Sequence, residues 1–291
     1  AGLMLAWAGR ADACDRACLH AALDRYLAAI IAHDPAAAPL AKTYRETENA
    51  AETAPGAGVW ASLTALGAVQ RRYLDPVSGQ AAYFGTVEEG AAAAIVSLRI
   101  KVEGRKIAEA EWIVARKGEA LLNVAGLAAE PPPETIAPKA GRASRAQLRA
   151  AANSYFDGLQ GHDGALVLHN PGCVRLENGT RVTGRHAPPP GSAAVEFDSG
   201  DCASNLDRMT QIDAVVHRRF PLIDEEAGVV LGTALFLRPP GGAKRADGSL
   251  WPRLLLAEYF RTEGGRISAI YAAMHYLPAD APETTGWPDQ K

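Results

Sequence analysis

The sequence predicts an α+β chain made of two tandem copies of one domain, each a helix followed by a curved antiparallel sheet. Three observations carry this. First, one spacing recurs: Tyr26, His33 and Asp34 map onto Tyr155, His162 and Asp163, and Glu48-Asn49 onto Glu177-Asn178, all at an offset of 129 (155 − 26 = 162 − 33 = 177 − 48). Second, each helical stretch leads into a run of strand-like segments, without the helix–strand alternation of a parallel sheet. Third, a stretch with Pro131-Pro132-Pro133 and little periodic apolar sequence separates the halves. The expected division is a leader over 1–13, a first domain over 14–127, a linker over 128–144, a second domain over 145–280 and a tail over 281–291.

The first helix is LDRYLAAIIAHDP, with Leu23, Leu27, Ile30 and Ile31 on one side and a stop at His33-Asp34-Pro35. A Gly/Pro/Ala loop over 54–58 leads to Val59-Trp60. Strands follow over 68–74, 81–87, 92–102 and 107–115. Asp75-Pro76 and Ser78-Gly79 mark the first turn, and Glu103-Gly104-Arg105 a tight hairpin. The second half repeats the order, with a helix over 145–161 and a strand over 174–177. An irregular insertion holding Pro188-Pro189-Pro190 comes next, then strands over 212–220 and 229–237. A polar excursion over 239–249 precedes the final hairpin, 254–262 with 266–277. Gln70-Arg71-Arg72-Tyr73 echoes His217-Arg218-Arg219-Phe220 at an offset of 147, and Val102-Glu103-Gly104 echoes Thr262-Glu263-Gly264 at 160. The second copy therefore carries the insertions, a common way for loops to gain specificity.

The bulk numbers narrow the function classes. At 291 residues, two domains can each bury a core; 48% apolar and 22% charged residues are ordinary for a globular chain. A net charge of −3 without a basic run, and no apolar stretch of about 18 to 20 residues, point away from nucleic-acid and membrane partners. The start resembles the end of a secretory signal, with Ala11-Asp12-Ala13 as a small-x-small cleavage site before Cys14; a helical leader is the alternative. Four cysteines, at 14, 18, 173 and 202, fit an oxidising compartment, periplasmic or extracellular. Cys173 and Cys202 bracket a loop-rich stretch and are expected to be bonded. Cys14 and Cys18 lie one helical turn apart, and their pairing stays open. A zinc site is disfavoured because C-x3-C has no second ligand pair.

The order of elements, with CDRACL, AHDP, TEN and RRFPLIDEEAGVVLG, resembles the nuclear transport factor 2-like superfamily. That superfamily includes SnoaL-like polyketide cyclases, ketosteroid isomerase and scytalone dehydratase. The closer resemblance is to a tandem branch found in bacteria and fungi. It implies cone-shaped α+β barrels with a pocket between sheet and helices, packed as an internal pseudo-dimer, and no cofactor. It also implies a lyase, isomerase or dehydratase acting on an apolar, aromatic small molecule. The most specific expectation is a deformylating lyase for diarylpropane-type, lignin-derived dimers. No catalytic motif of the named enzymes stands in this chain residue for residue, so none is carried over.

The residues themselves offer acid–base chemistry, since no phosphate-binding glycine loop, HExxH or GxSxG stands here. Alternation along 266–277 puts Tyr271 and His275 on one face among small residues, a feasible donor and base; a core or rim histidine is the alternative. His217 and Arg219 share a face of 212–220, as a base with an oxyanion-stabilising guanidinium or as a solvated sheet face. These four are the catalytic candidates. Tyr44 and Trp60, with Tyr73, would form an aromatic wall, or simply core. Glu48 and Glu177 begin the first strand of each copy and reach the interior or make a turn. Glu111, beside Glu109, would have its pKa raised if the pair faces inward. Glu258 joins Tyr44, Glu48, Trp60, Glu111 and Glu177 as a substrate-binding candidate. The working pocket is expected in copy two, under its insertions. Beyond a small-molecule substrate, the expectation leaves room for a homodimer. A secreted carrier without turnover, or a solid interaction module, are the rival functions.

Overall fold

The computed structural model describes residues 14–184, 200–239, 244 and 248–289. The expected cleavage site at Ala11-Asp12-Ala13, Pro188-Pro189-Pro190 and most of the 239–249 excursion lie outside them. Helix α1, Arg16–Ile31, starts on Asp15, whose side chain accepts from the Cys18 N–H. Helix α4, Arg145–Gly161, starts on a Ser144/Gln147 capping box. The repeated His-Asp pair is the stop signal of both helices. His33 and His162 take left-handed φ of 53° and 52°, and Asp34 and Asp163 then accept from the N–H groups of Ala36 and Ala165.

The first sheet contains β1 Leu40–Glu48, β2 Ala51–Glu52, β3 Ala65–Asp75, β4 Gln80–Glu89, β5 Ala92–Glu103 and β6 Lys106–Ala115. A one-turn helix α2, Val59–Ser62, precedes β3, and α3, Val124–Ala129, follows the sheet. The second sheet contains β7 His169–Glu177, β8 Thr180–Arg181, β9 Ala214–Asp224, β10 Val229–Leu237, β11 Arg253–Glu263 and β12 Arg266–Leu277. Strand orders are β2-β1-β6-β5-β4-β3 and β8-β7-β12-β11-β10-β9, so the copies share one topology. The sheets are mixed, which corrects the all-antiparallel expectation: β1 runs parallel to β6, and β7 to β12. The reason is parity. The connection after β1 carries the chain to the far edge, and three hairpin reversals from β3 bring β6 back beside β1 pointing the same way.

Register fixes the residue equivalences. Glu48 pairs with Trp112 and Glu177 with Ala272, so β6 and β12 match at 160. Asp75 pairs with Gln80 and Asp224 with Val229, so β3 and β9 match at 149 (224 − 75 = 229 − 80). The Arg-Arg-aromatic echo at 147 is therefore not the structural match: the β9–β10 register slips by one between Leu222 and Arg219, so Arg219 stands opposite Thr233 as Arg71 stands opposite Phe84, and Arg71, not Arg72, is its counterpart. Glu48 and Glu177 end their strands and do not begin them, and the Asn that follows each is a lock. Asn49 exchanges two hydrogen bonds with the Val114 backbone, and Asn178 makes the same two to Met274.

Three apolar clusters hold the molecule. One lies between α1 and the first sheet, one between α4 and the second, and one between the two sheets, around Phe84, Leu231 and Tyr259. Contacts across the sheet–sheet boundary are reciprocal. Arg16 binds Asp224 at 2.8 Å while its counterpart Arg145 binds Asp75 at 2.6 Å. Asp224 accepts from the Leu74 N–H at 2.8 Å, and Asp75 from the Ile223 N–H at 3.0 Å.

Both cysteine pairs are bonded, Cys14 to Cys18 and Cys173 to Cys202. The second bridge ties β7 to the segment that runs through Leu206 towards Ile212, with a sequence separation of 29. In the chain-entropy model a loop of this size is worth roughly 3 to 4 kcal/mol. Urea unfolding of the Cys173→Ser/Cys202→Ser variant is expected to show a loss of about that size, and an unchanged midpoint would rule it out. None of the helices among the described residues is long and apolar enough to cross a membrane.

Candidate functional site

The candidate site begins with one row of residues across the second sheet. Gly232, Glu258, Ala272 and Glu177 are successive partners on β10, β11, β12 and β7, so their side chains share the face that α4 covers. The same row in the first sheet reads Tyr83, Leu98, Trp112 and Glu48. Tyr83 and Trp112 are fully buried there and pack with Tyr26 and Trp60, whose centroids lie 6.4 Å (Trp112) and 5.3 Å (Trp60) from that of Tyr26. Copy one is thus filled. In copy two, a Cβ on Gly232 would lie 2.8 Å from Phe260 and 3.2 Å from Phe156, so those rings occupy the Tyr83 position. Ala272 stands in the place of Trp112, and a cleft of about 60 Å³, lined by Tyr155, Glu177, Glu258 and Met274 among others, opens between α4 and the sheet.

Charge at the bottom of this cleft comes from β7 and β11, and apolar side chains such as Leu256, Phe236 and Met274 line it. Glu258 is 2% exposed, the one charge in the apolar stretch LLLAEYF. Burial, and next the neighbouring Glu177 carboxylate, push its pKa up to about 8 against the opposing pull of Arg175. Its Oε2 is buried without a hydrogen-bond partner among the described residues. Arg175 is also buried. Its Nη1 donates to the Tyr155 hydroxyl at 2.9 Å, and its Nε lies 2.9 Å from Glu177 Oε1, off the angle of a hydrogen bond. Burial raises the Tyr155 hydroxyl more than Arg175 lowers it, so it remains a neutral donor. The rim has two further sources. Leu121 comes from the segment that leaves copy one, and Met209, Gln211 and Ile212 from the segment anchored by Cys202.

This arrangement can move a proton. Glu258, whose carboxyl is held in the protonated form by burial, faces the cleft, and the Glu177 carboxyl lies beside the Arg175 guanidinium, with Ala272 between the two in the register. Two carboxyl groups whose environments differ in this way can serve as acid and base on one substrate.

Of the residues singled out from sequence, Glu177 and Glu258 stand in the cleft. From Ala269 onward the alternation along β12 is as expected, but the face is the other one, and a register shift at Ser268 puts Ile267 on the α4 side with Ile270 and Ala272. Tyr271, with Ala269 and Ala273, packs in the cluster between the sheets, while Met274 and Tyr276 line the cleft. His275 lies 2.5 Å from Glu119 on the segment leaving copy one. His217 sits at φ 53° where the β9–β10 register shifts, with Nδ1 2.8 Å from Asp289. Arg219 pairs with Glu111 across the sheet–sheet boundary at 2.5 and 3.1 Å. Burial raises Glu111, but Arg219 and Arg99 outweigh it and hold the carboxyl below its usual range, the reverse of the expected raised acid. Tyr44 and Trp60 converge on Glu46 Oε2, each at 2.8 Å, inside the filled interior of copy one. Glu48 is engaged by the Val59 N–H and Arg116. Sequence reasoning missed Arg175, Ala272 and the role of Tyr155. The isolated Glu258 in an apolar strand was the available signal; the Trp112-to-Ala272 exchange needed the register.

Two solved structures are similar to part of this chain. One is a protein of unknown function with a cystatin-like fold from Methylobium petroleophilum PM1, 18% identical, with a TM-score of 0.30, covering 49% of this chain and 85% of its own. Another is a presumed isomerase from Bacillus subtilis, 14% identical, with a TM-score of 0.31, covering 45% of this chain and 87% of its own. No curated protein matches the sequence. One family profile does, over residues 12–114 and 141–274, and it spans both copies and most of the chain. The chain therefore belongs to the DUF8021 family, a domain of unknown function.

Proposed function

We propose that copy two is an acid–base site that moves a proton on a small, largely apolar molecule, as a lyase, isomerase or dehydratase does. The observation that carries this is Glu258: a buried carboxyl pushed up to about 8, with an unpartnered oxygen in a cleft and a second carboxylate across Ala272. In this reading Glu258 gives the proton, Glu177 takes one, and Tyr155 with Arg175 steadies negative charge as it develops. The cleft is far smaller than the roughly 300 Å³ at which pockets for drug-sized ligands begin. It admits a compact substrate; a diarylpropane would require the rim at Leu121 and Met209 to open.

The two units are read as nuclear transport factor 2-like barrels fused into an internal pseudo-dimer, which the reciprocal Arg16–Asp224 and Arg145–Asp75 pairs support. The two disulfides support an exported protein.

A direct test follows small ketones, from acetone to cyclohexenone, in D2O by proton NMR with the full chain. The protein is expected to speed the wash-out of α-protons for at least one of them. Ala272→Trp, which restores the indole of copy one, should abolish the effect while leaving the circular dichroism spectrum unchanged. If no ketone exchanges faster than in buffer, or if the tryptophan variant exchanges as fast as the parent, the reading fails.

A further inference from the structure

A second cavity, of about 280 Å³, shares no lining residue with the cleft. It is enclosed by the linker over 135–143, the β9–β10 turn over 225–228 and the hairpin tip over 261–265. Arg261 lines it. The counterpart of Arg261 in copy one is Lys101, and the two copies treat this cation differently. Lys101 stands opposite Glu109 on the neighbouring strand, and its ammonium lies 2.6 Å from Glu103 and 3.7 Å from Glu109. Arg261 stands opposite Ala269, so copy two has kept the cation and the exposed acid of the hairpin tip (Glu263 for Glu103) and lost the carboxylate on the neighbouring strand.

What remains around Arg261 does not replace that acid. Nη2 donates to the Thr135 hydroxyl and lies 3.6 Å from Glu263, whose side chain is 64% exposed. Nη1 is buried and has no hydrogen-bond partner among the described residues. The other charges lining the cavity are engaged: Arg142 with Glu226 and the Ala137 carbonyl, and Glu225 with the Arg145 N–H. A buried guanidinium nitrogen without an acceptor is costly, and such groups call for a ligand, ion or water. Away from Arg261 the walls are apolar, with Ile136, Pro138, Leu148 and Ala227.

We propose that this cavity binds a short-chain organic carboxylate, whose headgroup takes the place of the missing acid on Arg261 and whose carbon chain lies along the apolar wall. A planar carboxylate is the group that a guanidinium fork matches. The site is independent of the acid–base cleft.

Isothermal titration of the full chain with hexanoate tests this, with hexanol and inorganic phosphate as comparisons. Hexanoate is expected to bind saturably at one site, and hexanol not at all. Arg261→Met should weaken hexanoate binding at least tenfold. Ala269→Glu, which returns the carboxylate of copy one, should do the same by occupying Arg261 from within. Arg261→Met should unfold at the parent's temperature within a few degrees, so that its loss of binding is read on a folded chain. Absence of saturable hexanoate binding, binding unchanged in both variants, or equal binding of hexanol or phosphate would overturn the proposal.

Discussion

Glu258→Gln is expected to slow proton exchange in the cleft by about 10² to 10⁴-fold, because the amide keeps the shape of the side chain and removes the transferable proton. The same variant has a pH signature in stability. The folded pKa of Glu258, about 8, lies above its ordinary value of 4.5, so the folded state holds this proton more tightly than the unfolded chain does. Its stabilising contribution is full below pH 4.5 and is lost as pH rises through 8. The parent should therefore lose stability relative to Glu258→Gln across that window, on the order of 4 kcal/mol at full ionisation. Glu46, pushed up to about 7 chiefly by burial, titrates with the same sign in copy one, so the difference between parent and variant isolates Glu258. Urea titrations of both proteins from pH 4 to 9 measure it. Parallel curves, or exchange unaffected by the amide, would remove Glu258 from the acid's role.

The second large effect is on folding. Glu111→Ala should destabilise the chain by about 3 to 5 kcal/mol, because two buried guanidinium groups lose their shared carboxylate. Arg99 Nε and Arg219 Nη1 both bind Glu111 Oε2, at 2.9 and 3.1 Å, and Arg219 Nη2 binds Oε1 at 2.5 Å. Arg99 and Arg219 are 2% and 3% exposed, so water cannot take over. Arg99 retains Glu109 and Gln80, whereas Arg219 has no further side-chain acceptor among the described residues. The double variant Glu111→Leu/Arg219→Leu should accordingly be more stable than Glu111→Ala alone. A loss below about 1 kcal/mol in the single variant would show that the pair is solvated in solution.

The sequence by itself determined the duplication, the order of helix and strands, the helix stops and the Cys173–Cys202 bridge. Each of these is a local matter or a fixed spacing: a His-Asp stop, a turn signal and an alternating strand report their own conformation. It also marked Glu177 and Glu258. Tertiary structure alone decided which face of each strand looks into a copy and which looks between the copies. A strand buried on both faces carries no polar–apolar alternation to tell them apart, so β12 from Ala269 onward read correctly in period and wrongly in direction, and the bulge before it went unseen. The same ambiguity hid the fate of Arg219 and Glu111, 108 residues apart, which reads as chemistry from sequence and is an ion pair in space. Ala272, between the two carboxyl groups of the cleft, stands where Trp112 does in the other copy. That equivalence at 160, against 129 for the helices and 149 for β3 and β9, becomes visible only when hydrogen-bonded register aligns the strands across the sheet.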